Sequence, residues 1–464
     1  MKRLLLILSV LLFSYTFSFA QWDSLKGGIN VKSLYEDAQV RAQIVYNGNL
    51  YVGGQFDTVD GMSASGLGRW NGVSWGVFSK IYGTAVLAFT IYNNNLVIGG
   101  DFDSVGGVYA RGVTQWNGAT WAPIGNLGWG LYGVWALTVY KGNLYAGGSF
   151  NYAESGKANN IAMWNGTTWT SVGSGLRGKS SLYLGVRALA VYNGNLYAGG
   201  YFDSAGNVAA NNIAMWNGTT WSAVGAGLQD SGILALKVFD NELYVGGHFG
   251  SNVSYHTGII DKWNGTTWST VGTGLTGTTS GGDIYALGVY DSSVCATGYF
   301  DSIGGIAASN IAYWDGSKWG AMGSGLFIGG GYSVISYNST LCVGGAFVDA
   351  GGIVANNIAQ WSGPLAVNNI SSSNDNIKVF PNPSNGVFQL RIKNYELGGA
   401  VKIYNMLGQE VASSNSSEGG EFKALPKGGL GWAIDISNQP SGIYLYRVTN
   451  SEGALVGSGK LVIN

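Results

Sequence analysis

The chain has 464 residues, of which 11% are charged, 13% are aromatic and 77 are glycine, a balance that suits a turn-rich all-β protein with more than one core. Its 24 lysines and arginines nearly match its 25 aspartates and glutamates, so it has no basic field for a phosphate backbone, and nucleic-acid binding is excluded as an expectation.

The N-terminus carries Lys2 and Arg3, an apolar run from Leu4 to Phe13, and Ser18-Phe19-Ala20 before Gln21. This is the layout of a cleavable secretory signal over residues 1–20, with an N-terminal anchor as the alternative. The apolar run is too short for a resident helix, and no later segment approaches the roughly 18 apolar residues of a span, so none is expected after cleavage.

From Trp22 to Trp361 one motif of about fifty residues recurs seven times. Glycine pairs stand at Gly53-Gly54, Gly99-Gly100, Gly147-Gly148, Gly199-Gly200, Gly246-Gly247 and Gly344-Gly345, with Thr297-Gly298 in the sixth copy. The second glycine always precedes a tryptophan by 16 residues (Trp70, Trp116, Trp164, Trp216, Trp263, Trp314, Trp361), and in six copies a second tryptophan follows five residues later. The last copy lacks that second tryptophan. Trp22-Asp-Ser-Leu-Lys-Gly-Gly-Ile29 aligns with Trp169-Thr-Ser-Val-Gly-Ser-Gly-Leu176, so the mature N-terminus is expected to supply the missing strand.

Alternation and turn chemistry divide each copy into four short strands. In the clearest copy Ala188-Leu-Ala-Val-Tyr192 is the first, Asn193-Gly194 a type I′ hairpin turn, and Leu196-Tyr-Ala-Gly-Gly200 the second. Ile213-Ala-Met-Trp216 is the third, and another Asn-Gly turn leads to the fourth at Trp221. Four antiparallel strands at this period predict a propeller blade, hence a seven-bladed β-propeller closed by its N-terminal strand. The glycine doublet, the later tryptophan and the period resemble the kelch repeat over residues 22 to about 363, although Trp-Asn-Gly stands where many kelch copies have tyrosine.

Fourteen of the 17 tryptophans occupy repeat positions, which reads as packing between blades, with sugar pockets between blades as the alternative. Cys295 and Cys342 replace the tyrosine of Tyr51, Tyr145, Tyr197 and Tyr244. Equivalent positions on neighbouring sheets point in parallel, and a disulfide needs α-carbons within about 7 Å, so two buried free thiols are predicted.

The spacing from the first-strand alanine (Ala42, Ala88, Ala136, Ala188, Ala235, Ala286; Ser333 in the last copy) to the second glycine is 12 residues in every copy. Length varies only between the fourth-strand tryptophan and the next first strand. These connectors share a face with the loops between second and third strands, and variable loops on a rigid scaffold are the usual place for binding residues. They carry Tyr35, Tyr82, Trp129, Tyr132, Trp135, Tyr183, Tyr285, Phe327 and Tyr332, with Arg177, Lys179, Arg187, Asp230 and Asp283 as polar neighbours. The candidate ligand-binding residues are Trp129, Tyr132, Trp135, Arg177, Tyr183, Arg187, Tyr285 and Tyr332, suited to stacking on sugars or clamping a peptide. Plugging of a central channel is the alternative.

Three further signals are weaker. Asp57-Thr58-Val59, Asp103-Ser104-Val105, Asp203-Ser204-Ala205 and Asp301-Ser302-Ile303 read first as turn caps. They also resemble the O-glycosylation acceptor of Bacteroidetes, which would make Thr58, Ser104, Ser204 and Ser302 modification sites. Asn165-Gly-Thr, Asn217-Gly-Thr and Asn264-Gly-Thr match the N-glycosylation pattern but read as turns. One aspartate per loop falls short of the six to eight oxygens calcium takes, and His248 with His256 makes no metal set by itself.

After Pro364 a polar linker, residues 364–376, leads to six mostly alternating segments over 377–464, which predict a β-sandwich of seven or so strands. Val379-Phe-Pro-Asn-Pro383, Val401-Lys-Ile-Tyr-Asn-Met-Leu-Gly408, Pro440-Ser-Gly-Ile-Tyr-Leu-Tyr-Arg-Val448 and Lys460-Leu-Val-Ile463 occur in order near the terminus. They resemble the type A sorting domain of the type IX secretion system of Bacteroidetes, which implies that the secretion machinery is a partner and that the protein is released or held at the cell surface. An ordinary immunoglobulin-like accessory domain is the alternative.

No hydrolase motif is recognisable, nor the histidine, tyrosine and cysteine set of a kelch-like copper radical oxidase. The expectation is therefore an exported module, with no cofactor or metal, that binds an extracellular glycan or protein through residues 21–363. A passive surface or adhesion component and a secreted enzyme of unknown type remain the alternatives.

Overall fold

A computed structural model of the chain describes residues 22–30, 38–127, 133–178, 185–228, 231–249, 260–276, 282–363, 377–392, 400–405, 410–414, 421–424, 431–449 and 455–464. The signal-sequence expectation lies outside them. Among the described residues every regular element is a strand, all strand pairs in the sheets are antiparallel, and no helix is long and apolar enough to cross a membrane. Contacts divide the chain into two units, residues 1–365 and 366–464.

In the first unit each repeat is a four-stranded meander. Gln39–Tyr46, Asn49–Gln55, Leu67–Trp70 and Trp75–Val77 pair in that order. The pattern recurs through the chain, and the last sheet, Gly331–Tyr337, Thr340–Gly345 and Ile358–Trp361, takes Trp22–Ser24 as its fourth strand, with Trp22 opposite Trp361. First strands of successive repeats are neighbours, and the last neighbours the first.

The hairpin between first and second strands has left-handed φ at both turn residues, 46° at Asn193 and 70° at Gly194, as a type I′ turn requires. The second Asn-Gly turn differs from the tight two-residue form that the dipeptide suggests. Trp164 pairs with Trp169 across four residues, and the Asn165 side-chain oxygen accepts the backbone N–H groups of Thr167 and Thr168, both at 2.9 Å. That side chain serves the turn itself.

One belt of bonds joins each sheet to the next, and a second joins several of them. Every fourth-strand tryptophan donates its indole N–H to the preceding repeat. Trp221 reaches the Val172 carbonyl at 2.9 Å, Trp268 that of Val224 at 3.1 Å, Trp319 that of Val271 at 3.0 Å, and Trp22 closes the series on Met322 at 3.0 Å. The acceptor lies three residues beyond the previous repeat's own tryptophan; Trp121 alone uses a side chain, Ser79 Oγ. At the opposite end, first-strand tyrosines donate to the next hairpin: Tyr46 to Asn94, Tyr192 to Asn241, and Tyr337 across the closure to Gly48. Third- and fourth-strand indoles pack in tilted pairs 5.1–5.7 Å apart, as in Trp263–Trp268 and Trp164–Trp169.

The glycine doublet answers two different demands. A Cβ on the first glycine would press on an aliphatic residue of the next sheet, as Gly53 on Val86 Cγ1 at 2.6 Å and Gly99 on Val134 Cγ1 at 2.7 Å. Where that glycine is Thr297, the facing position is Gly331 in place of valine or isoleucine, so bulk has changed sides. A Cβ on the second glycine would collide with a first-strand carbonyl oxygen, as Gly200 with Gly185 and Gly298 with Asp283. Cys295 and Cys342 are free and buried, in separate inter-sheet clusters beside Trp361 and Trp70 respectively.

The second unit has two four-stranded sheets. Ile377–Phe380, Val387–Ile392, Gly431–Asp435 and Glu421–Ala424 form one; Glu410–Ser413, Ala400–Tyr404, Gly442–Thr449 and Leu455–Ile463 form the other. One apolar cluster, including Phe388, Leu390, Ile403, Ile434, Val448 and Leu461, draws on both. Glu410–Ser413 and Glu421–Ala424 were not evident from alternation. The Asn382 side chain donates to the Lys460 carbonyl at 2.7 Å and accepts the Val462 N–H at 2.8 Å, which ties the first sequence word to the last.

Candidate functional site

The connectors between repeats are less free than their varying length suggests. Their first halves form short ladders with the next repeat: Ile29–Asn30 with Thr58–Val59, Leu176–Arg177 with Ser204–Ala205, Leu275–Thr276 with Ser302–Ile303, and Leu326–Phe327 with Asp349–Ala350. Asparagines with left-handed φ pin them, as Asn212 donating to the Leu228 carbonyl and Asn310 to that of Leu326, both at 2.8 Å. The variation is thereby confined to the stretch just before each first strand.

Each first strand then carries a β-bulge opposite the glycine doublet. One residue per repeat is left unpaired there, one place before the strand alanine. A bulge re-aims a side chain, and the second glycine admits it by lacking a Cβ. The bulge residues are Arg41, Leu87 and Trp135 in the first three repeats, Arg187 and Leu234 in the next two, and Tyr285 and Tyr332 in the last two. All are partly buried.

These side chains meet one another. The Arg187 guanidinium lies 3.2 Å from the Trp135 ring centroid, and that of Arg41 lies 4.1 Å from the Tyr332 ring across the first–last junction. Tyr285 and Tyr332 meet edge to face at 5.0 Å. A second tier comes from the residue after the glycine doublet. Tyr201 stands 5.9 Å from the Arg187 guanidinium, the Tyr299 and Tyr332 hydroxyls are 3.2 Å apart, and His248 Nδ1 meets Asp283 Oδ1 at 2.5 Å. The Tyr285 hydroxyl donates to Asp283 Oδ2 at 3.1 Å, completing a His248–Asp283–Tyr285 chain.

Burial lowers the Arg187 pKa to about 10; Tyr201 and Tyr285 oppose this, and the charge of Arg41, three repeats away, adds to it. Burial, then the Asp283 carboxylate, pushes the Tyr285 phenol above its ordinary range, and burial with the Tyr299 hydrogen bond does the same for Tyr332. At neutral pH the site presents two guanidinium cations, protonated phenols, an indole, and one carboxylate already engaged by His248 and Tyr285. Among the described residues, no carboxylate lies within ion-pair distance of Arg41 or Arg187, and no cluster of three or more metal-ligating side chains occurs.

Of the residues singled out in the sequence, Trp135, Arg187, Tyr285 and Tyr332 come together in this ring. Trp129, Tyr132 and Tyr183 lie outside the described residues, as do Tyr35, Lys179, Asp230 and His256. Arg177 is exposed within a ladder, where its carbonyl accepts the Asp203 N–H at 2.9 Å. Thr58 is 7% exposed and donates to the Asn30 carbonyl at 3.3 Å; Ser204 donates likewise to Arg177 at 3.3 Å. Ser104 pairs with Tyr82 and Tyr109, and Ser302 with Thr276 and Ala307. Arg41, Tyr201 and Tyr299 were not singled out. The signal for Arg41 is positional, since it precedes Ala42 as Arg187 precedes Ala188.

Comparison with solved structures finds distant likeness. A fungal alcohol oxidase of the AA5 family in complex with copper is 12% identical, with a TM-score of 0.46, over 96% of this chain and 99% of that one. A mutant Trypanosoma rangeli sialidase displaying trans-sialidase activity is 10% identical, TM-score 0.32, over 96% and 89%. The Trypanosoma rangeli sialidase in complex with sialic acid is 10% identical, TM-score 0.33, over the same shares. At these values the likeness assigns no activity to this chain. No curated protein matches. Residues 378–464 match the family model described as a secretion system C-terminal sorting domain, which marks the chain as exported by type IX secretion to the cell surface or extracellular space.

Proposed function

We propose that the chain is an exported binding module. In this reading residues 22–363 are a seven-bladed, kelch-like β-propeller, residues 377–464 an immunoglobulin-like sandwich that the secretion machinery engages, and the propeller holds an extracellular glycan or protein at the mouth ringed by the bulge residues. The blade reading is supported by the recurring four-strand sheets, the cyclic neighbour relation of their first strands, and the pairing of Trp22 with Trp361.

One observation carries the binding reading. A position that the backbone repeats in every copy holds arginine, leucine, tryptophan and tyrosine, while the residue before it is valine or isoleucine in six copies and the residue after it is alanine in six. Packing would favour one residue there; a site for an asymmetric ligand would not. The reading assigns the His248–Asp283–Tyr285 chain to holding the side chains of the mouth in place, and the module binds without a cofactor.

A glycan array probed with the mature chain tests this. Saturable binding that falls on alanine substitution of Trp129, Tyr132 and Trp135 is expected. Absence of any binding, together with an adhesion defect on gene deletion, would favour a passive surface component instead.

A further inference from the structure

We infer that the ligand is an acidic glycan, a polysaccharide whose sugar rings carry carboxylates. The inference rests on the mouth being the binding site and concerns what enters it.

Arg41 and Arg187 are the cations of the bulge ring, and each guanidinium lies over an aromatic ring of the adjacent repeat. Stacking fixes the plane of a guanidinium and leaves its N–H edge for a partner, the arrangement that suits a carboxylate's two oxygens. Arg187 Nε is buried without a hydrogen-bond partner, neither arginine has a carboxylate within ion-pair distance among the described residues, and Asp283 is taken by His248 and Tyr285. Two partly buried guanidinium cations without a counter-ion raise the energy of the empty mouth. An anion at their N–H edges relieves this, whereas a neutral ligand does not.

The rest of the mouth favours a sugar over a peptide as the carrier of that anion. Tyr285, Tyr299 and Tyr332 offer ring surface together with hydroxyls that donate and accept, matching the apolar faces and hydroxyl rims of pyranose rings. Capture of a peptide carboxylate more often uses a nest of backbone N–H groups, whereas the groups gathered at this mouth are guanidinium, phenol and indole side chains.

The test is affinity electrophoresis and calorimetry of the purified chain against polygalacturonate and against the same polymer with its carboxyls reduced to alcohols. Binding to the acidic polymer is expected to be at least tenfold tighter and to weaken with salt. Arg41→Gln with Arg187→Gln should abolish that preference, Arg187→Lys should recover it in part, and Arg69→Gln, an exposed arginine of a third strand, should leave it intact. Thermal unfolding of each variant separates lost binding from lost fold. Equal binding to both polymers that falls with Trp135→Ala would overturn the acidic ligand while sparing the mouth. Arginine-dependent binding of acidic peptides but of neither polymer would overturn the glycan. Binding untouched by any of these substitutions, or none to any probe, would overturn both.

Discussion

Two positions recur once in every repeat and have opposite histories. The fourth-strand tryptophan is the same residue each time, and its indole always donates to the preceding repeat. The first-strand bulge is the same piece of backbone each time, yet it carries different side chains. Repetition of geometry is common to both, so it cannot separate scaffold from site. On the proposed binding reading repetition of chemistry does: where every copy faces the same neighbours, one residue serves, and where the copies contribute to one site, each is free to differ.

Several substitutions would break or sharpen that contrast. Trp169 is 0% exposed and bonded to the Ile124 carbonyl at 2.6 Å, so Trp169→Ala is expected to cost about 3–5 kcal/mol in chemical unfolding, whereas Trp135→Ala should cost well under half of that. Gly331→Val would set its new side chain against Thr297 and cost about 1–3 kcal/mol, and adding Thr297→Gly should recover most of it in a double-mutant cycle. Independent, additive effects would mean that the exchange of bulk across that junction is incidental.

Asn212→Ala removes the tie to the Leu228 carbonyl and puts alanine, which adopts left-handed backbone less readily than asparagine, at φ 62°, for an expected loss of about 1–2 kcal/mol. The smallest effect concerns Cys342, whose thiol burial raises from 9.0 to about 12. The folded state holds this proton more tightly than the unfolded state does. Its contribution to stability is thus complete below pH 9 and is lost as pH rises towards 12. A thiol reagent at pH 8 should label neither cysteine until the chain unfolds; prompt labelling would contradict the packing described around Trp70 and Trp361.

Much of the scaffold was legible because its constraints are local or exactly periodic. Glycine pairs, paired tryptophans and type I′ dipeptides each report a steric demand that one residue type satisfies, and the alignment of Trp22 with Trp169 anticipates the pairing with Trp361. Part of the site was legible for a weaker reason: Trp135, Arg187, Tyr285 and Tyr332 stand out as large residues next to the variable connectors, although they lie within the first strands. Arg41 did not stand out, because the bulge that groups it with them arises from contact between the first strand and the glycine doublet, which alternation does not express. The same holds for the connector ladders, whose two-residue strands are too short to show a period. In the C-terminal unit, Glu410–Ser413 and Glu421–Ala424 are four residues each, too short to show a period.

The central claim is that variety at the bulge position serves a ligand and not the fold. Leucine already occupies that position at Leu87 and Leu234, so it can be extended to the others through Arg41→Leu, Trp135→Leu, Arg187→Leu, Tyr285→Leu and Tyr332→Leu together. The most direct measurement is cooperative thermal unfolding of this levelled chain alongside its retention on an acidic polysaccharide gel. The expected result is an unfolding midpoint within a few degrees of the parent and retention reduced to that of a non-binding control. A collapsed midpoint, or retention equal to the parent's, would contradict the claim.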